Sequence, residues 1–192
     1  MLKLYGSENV TQGIVLKTNL LDNINLEKFL KKEHKENNSL ILVLDQVTDP
    51  QNIGSIMRSC AMFNCKAILI SKDNSPEMTP SLIKAASGAA EIVDYIKVVN
   101  LKRALLELKK NGYWVYGFDN TSKDLKDNIN FAKKSVLVFG SEGKGIRDLI
   151  KKECDEILAL KCKPNSKYGI DSLNVSNASS IALYEYFKIY GN

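Results

Sequence analysis

Apolar positions along this chain fall into short, dense runs separated by segments of helical period. The runs Leu40-Ile41-Leu42-Val43-Leu44, Ala67-Ile68-Leu69-Ile70, Ser135-Val136-Leu137-Val138-Phe139 and Ile157-Leu158-Ala159-Leu160 are bounded by turn residues and read as buried strands. Residues 92–98 predict a further short strand, and Tyr113 to Phe118 is rich in β-formers. Between these lie helices predicted over 53–64, 79–87 and 146–152, and a closing helix over 173–189. Over 101–111, Leu101, Leu105 and Leu108 recur at helical spacing and Asn111-Gly112 supplies the stop. Upstream, Leu26, Phe29 and Leu30 predict a short helix that runs out into a polar stretch ending at Asn38, read as a linker or loop. Strands alternating with helices predict an α/β domain on a mainly parallel sheet with helices on both faces. No internal repeat and no low-complexity tract interrupts it.

Three of the strand runs open into stretches rich in small and polar residues. Strands of a parallel sheet end along one edge, where open α/β sheets bind ligands, so three distant pieces of chain predict one site. The first piece runs from Asp45 to Arg58. Asp49-Pro50 starts a turn and Asn52 falls in the first turn of the following helix. Gly54 there is about 1 kcal/mol worse than alanine, which suggests close approach by another backbone or a ligand. Arg58 lies about 9 Å further along the helix axis, and helical side chains lean back toward the N-terminus.

The second piece, Gly140-Ser141-Glu142-Gly143-Lys144-Gly145, is a glycine-rich turn whose backbone N–H groups are approachable. It is not a P-loop, because Ile146 and Arg147 follow Gly145, and Glu142 occupies the position where a dinucleotide fingerprint needs glycine. A glutamate in the turn repels phosphate and favours a cationic or uncharged ligand. In the third piece, Ser172 to Ser180, four serines and two asparagines make a weak helix opening, yet Ala178, Ile181, Ala182 and Leu183 continue an apolar helical face. Each piece taken alone also has a plain structural explanation: a capped helix with a surface arginine, a tight turn, a serine-rich helix start.

The 192 residues suffice for one domain with a sizeable core. A hydrophobic fraction of 44% and a charged fraction of 26% are ordinary, while a net charge of +5 and a pI near 8.9 permit a nucleic-acid partner without requiring one. Cys60, Cys65, Cys154 and Cys162 show no CxxC spacing and His34 is the lone histidine, so a metal site, a haem site and a histidine-based triad are unsupported. Reduced thiols in a cytoplasmic protein are the expectation. No apolar segment approaches the ~20 residues of a membrane span, and no signal peptide is evident. Lys161, Lys163 and Lys167 crowd the loop beside the predicted site.

Together the three pieces resemble the three motifs of the SpoU (TrmH) family of S-adenosylmethionine-dependent RNA ribose 2′-O-methyltransferases, in the SPOUT superfamily. The matching positions are Asp49-Pro50-x-Asn52-x-Gly54-x3-Arg58, Gly140-Ser141-Glu142-Gly143-x-Gly145 and Ser172-Leu173-Asn174-Val175-Ser176. Residues 84–91 and Val99-Asn100-Leu101 resemble the branch that methylates a guanosine of 23S ribosomal RNA. The resemblance implies a deep C-terminal trefoil knot, a homodimer with the site at the subunit interface, S-adenosylmethionine as methyl donor and no metal. It assigns Asn52, Arg58, Glu142, Ser172 and Asn174 to catalysis and substrate orientation, and Gly140, Leu160 and Leu173 to the donor pocket. The chain departs from the family where Leu160-Lys161-Cys162 replaces an Ile-Pro-Met-like segment.

Residues 39–192 are then the catalytic domain, and 1–38 a remnant of an RNA-recruiting domain with its linker. On that reading RNA affinity is weak and depends on the lysine loop and a dimer groove. The closing helix carries Tyr184, Tyr186, Phe187 and Tyr190, which suit either a dimer contact or the monomer's own core. Alternatives to ribosomal RNA methylation are the same reaction on transfer RNA, a non-catalytic RNA-binding or assembly factor with the same fold, and an unrelated nucleotide-binding enzyme.

Overall fold

The computed structural model describes residues 24–73, 76–120, 129–162, 168 and 172–191. Among them are strands β1 (Ser39–Asp45), β2 (Ala67–Ser71), β3 (Asp94–Val98), β4 (Trp114–Phe118), β5 (Lys134–Gly140) and β6 (Glu156–Leu158). They form one sheet in the order β3-β2-β1-β5-β4-β6, and every pairing is parallel. The chain moves outward from β1 to β3 and resumes on the other side of β1. The crevice above the C-terminal ends of β1 and β5 is therefore the switch point at which such sheets hold ligands.

Helices α1 (Leu26–Glu33), α2 (Pro50–Met62), α3 (Pro80–Ala86), α4 (Leu101–Lys110), α5 (Asp148–Lys151) and α6 (Val175–Tyr190) flank the sheet. β1 explains why the apolar run is unbroken: all seven of its residues are buried, and its two faces feed different cores. Leu40, Leu42 and Leu44 pack with Ile53, Ile56 and Met57 of α2, Leu82 of α3 and Leu183 of α6. Ile41 and Val43 pack with Phe29 of α1 and Leu101, Leu105 and Leu108 of α4. Helices on both faces of a parallel sheet are thus observed.

Element boundaries shift for local reasons. α2 starts at Pro50 rather than residue 53, because the Asp49 carboxylate accepts the Gln51 N–H at 3.0 Å and proline suits the first helical position. α5 is shorter than predicted, because Gly145 to Arg147 belong to the loop before it. The short helix expected near residue 26 is α1, capped by Asn25, and it buries Leu26, Phe29, Leu30 and Glu33 against the sheet. The packed unit therefore includes α1 as well as residues from 39 onward.

The aromatics of α6 divide between roles. Tyr186 is buried and its hydroxyl donates to the Lys133 carbonyl, while Tyr190 donates to the Phe131 carbonyl at 2.7 Å. Phe187 packs on Phe63, and Tyr184 remains half-exposed beside the same ring. Part of the C-terminal chain on which the expected knot depends, 163–167 and 169–171, lies outside the described residues. The segment that holds Lys163 and Lys167 likewise lies outside the described residues.

Candidate active site

Asn52, Glu142 and Asn174 come from three distant parts of the chain and meet in a hydrogen-bonded triangle. Asn174 Nδ2 donates to Glu142 Oε1 at 2.7 Å and to Asn52 Oδ1 at 3.0 Å, and Asn52 Nδ2 donates to Glu142 Oε1 at 3.2 Å. The amide orientations follow from one backbone group. Asn174 is the N-cap of α6, and its Oδ1 accepts the Ser176 N–H at 2.9 Å and the Ser176 hydroxyl at 2.6 Å. Its Nδ2 must therefore face the other two residues, which leaves Asn52 Nδ2 to donate to Glu142. Asn52 is carried on the first turn of α2, so the N-terminal ends of two helices converge on the Glu142 carboxylate, where a negative charge is favoured.

The serine-rich start of α6 is explained by close packing against α2. Ser59 and Ser180 share a hydroxyl–hydroxyl bond of 2.7 Å, and Ser180 also donates to the Ser176 carbonyl. Small polar residues let the two helices approach while the hydroxyls of Ser59, Ser176, Ser179 and Ser180 are satisfied, and so fix the distance between Asn52 and Asn174.

Glu142 is presented by a tight loop after β5. Gly145 N–H donates to the Ser141 carbonyl at 2.9 Å, and Gly143 and Gly145 adopt left-handed φ of 81° and 66°. A Cβ on Gly140 would lie 1.9 Å from the Gly145 carbonyl carbon, so the loop folds directly back over its own first residue.

Beside the triangle lies a cavity of about 150 Å³ lined by Gly140, Ser141, Glu142, Leu160, Ser172 and Leu173, among others. The positions proposed for the donor pocket, Gly140, Leu160 and Leu173, thus border one space together with Glu142 and Ser172. Phe118 and Phe139 line it too and stack on each other at 4.8 Å. The reading from sequence did not include Phe118, Asp119, Asn120 or Cys162, which also line it. Asp119 is buried, pairs with Lys151 at 2.7 Å and would touch a Cβ on Gly145 at 3.0 Å. A signal for it existed: β4 ends at the same sheet edge, and a polar Asp119-Asn120 follows it at once.

Of the two partners expected to approach Gly54, another backbone or a ligand, the structure shows the first. The close approach at Gly54 is to backbone, since a Cβ there would meet Ala85 Cβ at 2.5 Å and the Leu82 carbonyl oxygen at 2.7 Å. Gly54 serves the crossing of α2 with α3 and not a ligand. Arg58 is exposed on α2, and it makes no hydrogen bond or ion pair with a described residue. Among the described residues no cluster of His, Cys, Asp or Glu could hold a metal, and no helix is long and apolar enough to cross a membrane.

The profile of the SpoU rRNA Methylase family matches residues 39–184, which spans the whole sheet and all three motif segments. The chain belongs to that family. It is 37% identical over 177 residues to the 23S rRNA (guanosine-2′-O-)-methyltransferase RlmB of Coxiella burnetii, covering 91% of this chain and 68% of that protein. The RlmB of Ralstonia nicotianae is 39% identical over 176 residues, with the same two coverages. Among solved structures, the A. aeolicus TrmH/SpoU tRNA modifying enzyme superposes with a TM-score of 0.67 at 26% identity, covering 85% of this chain and 83% of that one. The SpoU methyltransferase AviRb of Streptomyces viridochromogenes, solved with AdoMet, shares the fold with a TM-score of 0.72 at 19% identity. This chain is covered over 80% of its length there and spans 58% of AviRb.

Proposed function

We propose that this protein transfers a methyl group from S-adenosylmethionine to a ribose 2′-hydroxyl of RNA, with a guanosine of 23S ribosomal RNA as target. The observation that carries the reading is the Asn52–Glu142–Asn174 triangle at the rim of a cavity with an apolar wall. Two relatives above 35% identity are named for that reaction, which favours ribosomal over transfer RNA. The intact triangle argues against a non-catalytic assembly factor.

The residues present suit the donor. A sulfonium cation is favoured near the carboxylates of Glu142 and Asp119, and adenine is a flat apolar body that fits between Leu160 and Leu173. The bound donor supplies an activated methyl group, so the protein's share of the work is positioning and charge. The 2′-oxygen forms a bond to the methyl carbon as the carbon–sulfur bond breaks, its electron pair goes to sulfur, and the hydroxyl proton passes to phosphate or water.

Asn52 and Asn174, held rigidly by Glu142, orient the ribose, and Ser172 binds beside them. Arg58 stabilises the developing alkoxide charge and clamps the adjacent phosphate. It does not act as a base, since guanidinium stays protonated at any ordinary pH.

The same reading includes a C-terminal trefoil knot, residence in the cytoplasm, residues 39–192 as the catalytic unit and a homodimer. Exposed Met62, Ile181 and Tyr184, on α2 and α6 beside Arg58, offer apolar surface for that dimer. Tritium transfer from labelled donor to 23S ribosomal RNA tests the reading, with the lost ribose methylation mapped in a strain lacking the protein. Donor binding by calorimetry without any methyl transfer would instead support the non-catalytic alternative.

A further inference from the structure

We propose that Asp45 and Arg147 form a brace that sets the loop presenting Glu142, which makes Asp45 a positioning residue for methyl transfer. The proposal rests on the methyltransferase reading and concerns two residues to which the motif positions assign no role.

Asp45 ends β1 at the centre of the sheet, and its side chain is completely buried. Its carboxylate accepts the Arg147 backbone N–H at 2.9 Å and Arg147 Nε at 2.9 Å, and pairs with the terminal Nη2 at 2.6 Å. Arg147 is the residue at which the loop from Gly140 ends and α5 begins. The loop's other end is fixed at the same place, because Gly140 lies opposite Asp45 in the parallel ladder. Both ends of the 140–147 segment are therefore tied to one residue. The Ser141–Gly145 bridge closes the turn between them, and Glu142 stands at its tip.

A fully buried carboxylate is unfavourable unless it is paired, and a well-packed apolar residue would serve stability as well. What the ion pair adds is direction: a planar fork bonded to both carboxylate oxygens, together with a backbone N–H, allows one geometry. A second contact has the same form. Asp119, just past the end of β4, holds Lys151 at the last residue of α5 at 2.7 Å. Two buried carboxylates on either side of β5 thus hold both ends of the four-residue helix that follows the loop.

The test uses Arg147→Met, because the arginine side chain is 43% exposed and its loss leaves no large cavity, with Asp45→Asn as second variant, which removes the buried charge that Arg147→Met leaves unpaired. S-adenosylmethionine affinity is read by calorimetry, loop order by hydrogen exchange at the Gly145 amide, and kcat and KM on RNA by methyl transfer. Donor affinity and kcat are expected to fall about tenfold to a hundredfold. The Gly145 amide should exchange faster, KM for RNA should hold, and Arg147→Lys should recover only part of the loss. A folded Arg147→Met protein with wild-type donor affinity, kcat and Gly145 protection overturns the brace, even if its melting temperature drops. Wild-type protein that ignores the donor overturns the methyltransferase reading instead.

Discussion

Replacing Gly140 by alanine probes the loop that presents Glu142 at its most crowded point. The new Cβ would sit 1.9 Å from the Gly145 carbonyl carbon, 2.1 Å from its oxygen and 2.2 Å from the Ile146 nitrogen. All three are backbone atoms, so no side chain can rotate away. To reach ordinary contact the 141–146 turn must lift by about 1 Å or more, since real Cβ atoms rarely approach within 3.4 Å of a neighbour. Glu142 moves with it, and its 2.7 Å bond from Asn174 opens beyond hydrogen-bond range. Overpacking of this kind costs about 1–3 kcal/mol, a fall in melting temperature of roughly 2–12 °C for a chain of this size. Misplacement by about 1 Å near the chemistry costs on the order of a hundredfold in rate. The assay is donor binding by calorimetry beside single-turnover methyl transfer, at a temperature where the variant is fully folded. Gly140→Ala protein that binds the donor and turns over as the wild type does would refute the claim that this turn sets the site.

Asn174→Ala removes the N-cap of α6 and two of the three bonds in the triangle. It should lower stability by about 0.5–2 kcal/mol and reduce turnover by more than that destabilisation explains; a melting curve beside kcat checks both. Arg58→Lys should lose most activity at neutral pH while leaving donor affinity alone. Near-normal turnover would show that the bidentate phosphate clamp is wrong. Stability should decline as pH rises from about 9 to about 12. Burial, reinforced by the Asp155 charge, pushes the Cys154 thiol up to about 12, and burial raises the Tyr113 phenol to about 12. From its unfolded pKa upward, 9.0 for the thiol and 10.0 for the phenol, each group keeps a proton in the folded chain that the unfolded chain has released, and so contributes a loss of about 1.4 kcal/mol per pH unit. Urea midpoints at pH 8.5 and 11 should lie closer together in the Tyr113→Phe and Cys154→Ala double variant, with the remaining slope left to buried Cys60, Tyr95 and Tyr186, whose burial also raises them; the same pH slope as wild type would contradict the assignment.

Periodicity and turn chemistry were enough to read the strand–helix order from Ser39 to Tyr190, because the central strands β1, β2 and β5, buried on both faces, must be apolar almost throughout. The motif residues were legible for a related reason. A site at a sheet edge needs glycines, short amides and serines directly after an apolar run, and that juxtaposition is visible in one dimension. The sequence also singled out Gly54 as a place of close approach, and there the reading stopped: whether ligand or backbone came near depended on where α3 lay.

Tertiary structure decided what no local pattern contains. Strand order put β5 beside β1 and so brought Gly140 opposite Asp45, a contact between residues far apart in the chain. It brought Asp119 to the cavity beside Glu142, turned Tyr186 into the core and left Tyr184 half-exposed on the same helix. Residue type and spacing record what a segment needs from its surroundings, burial or a cap or room for a turn. Which neighbour meets that need is settled by packing of the whole chain, and the hydrogen-bonded triangle exists only because three such needs are met at one point.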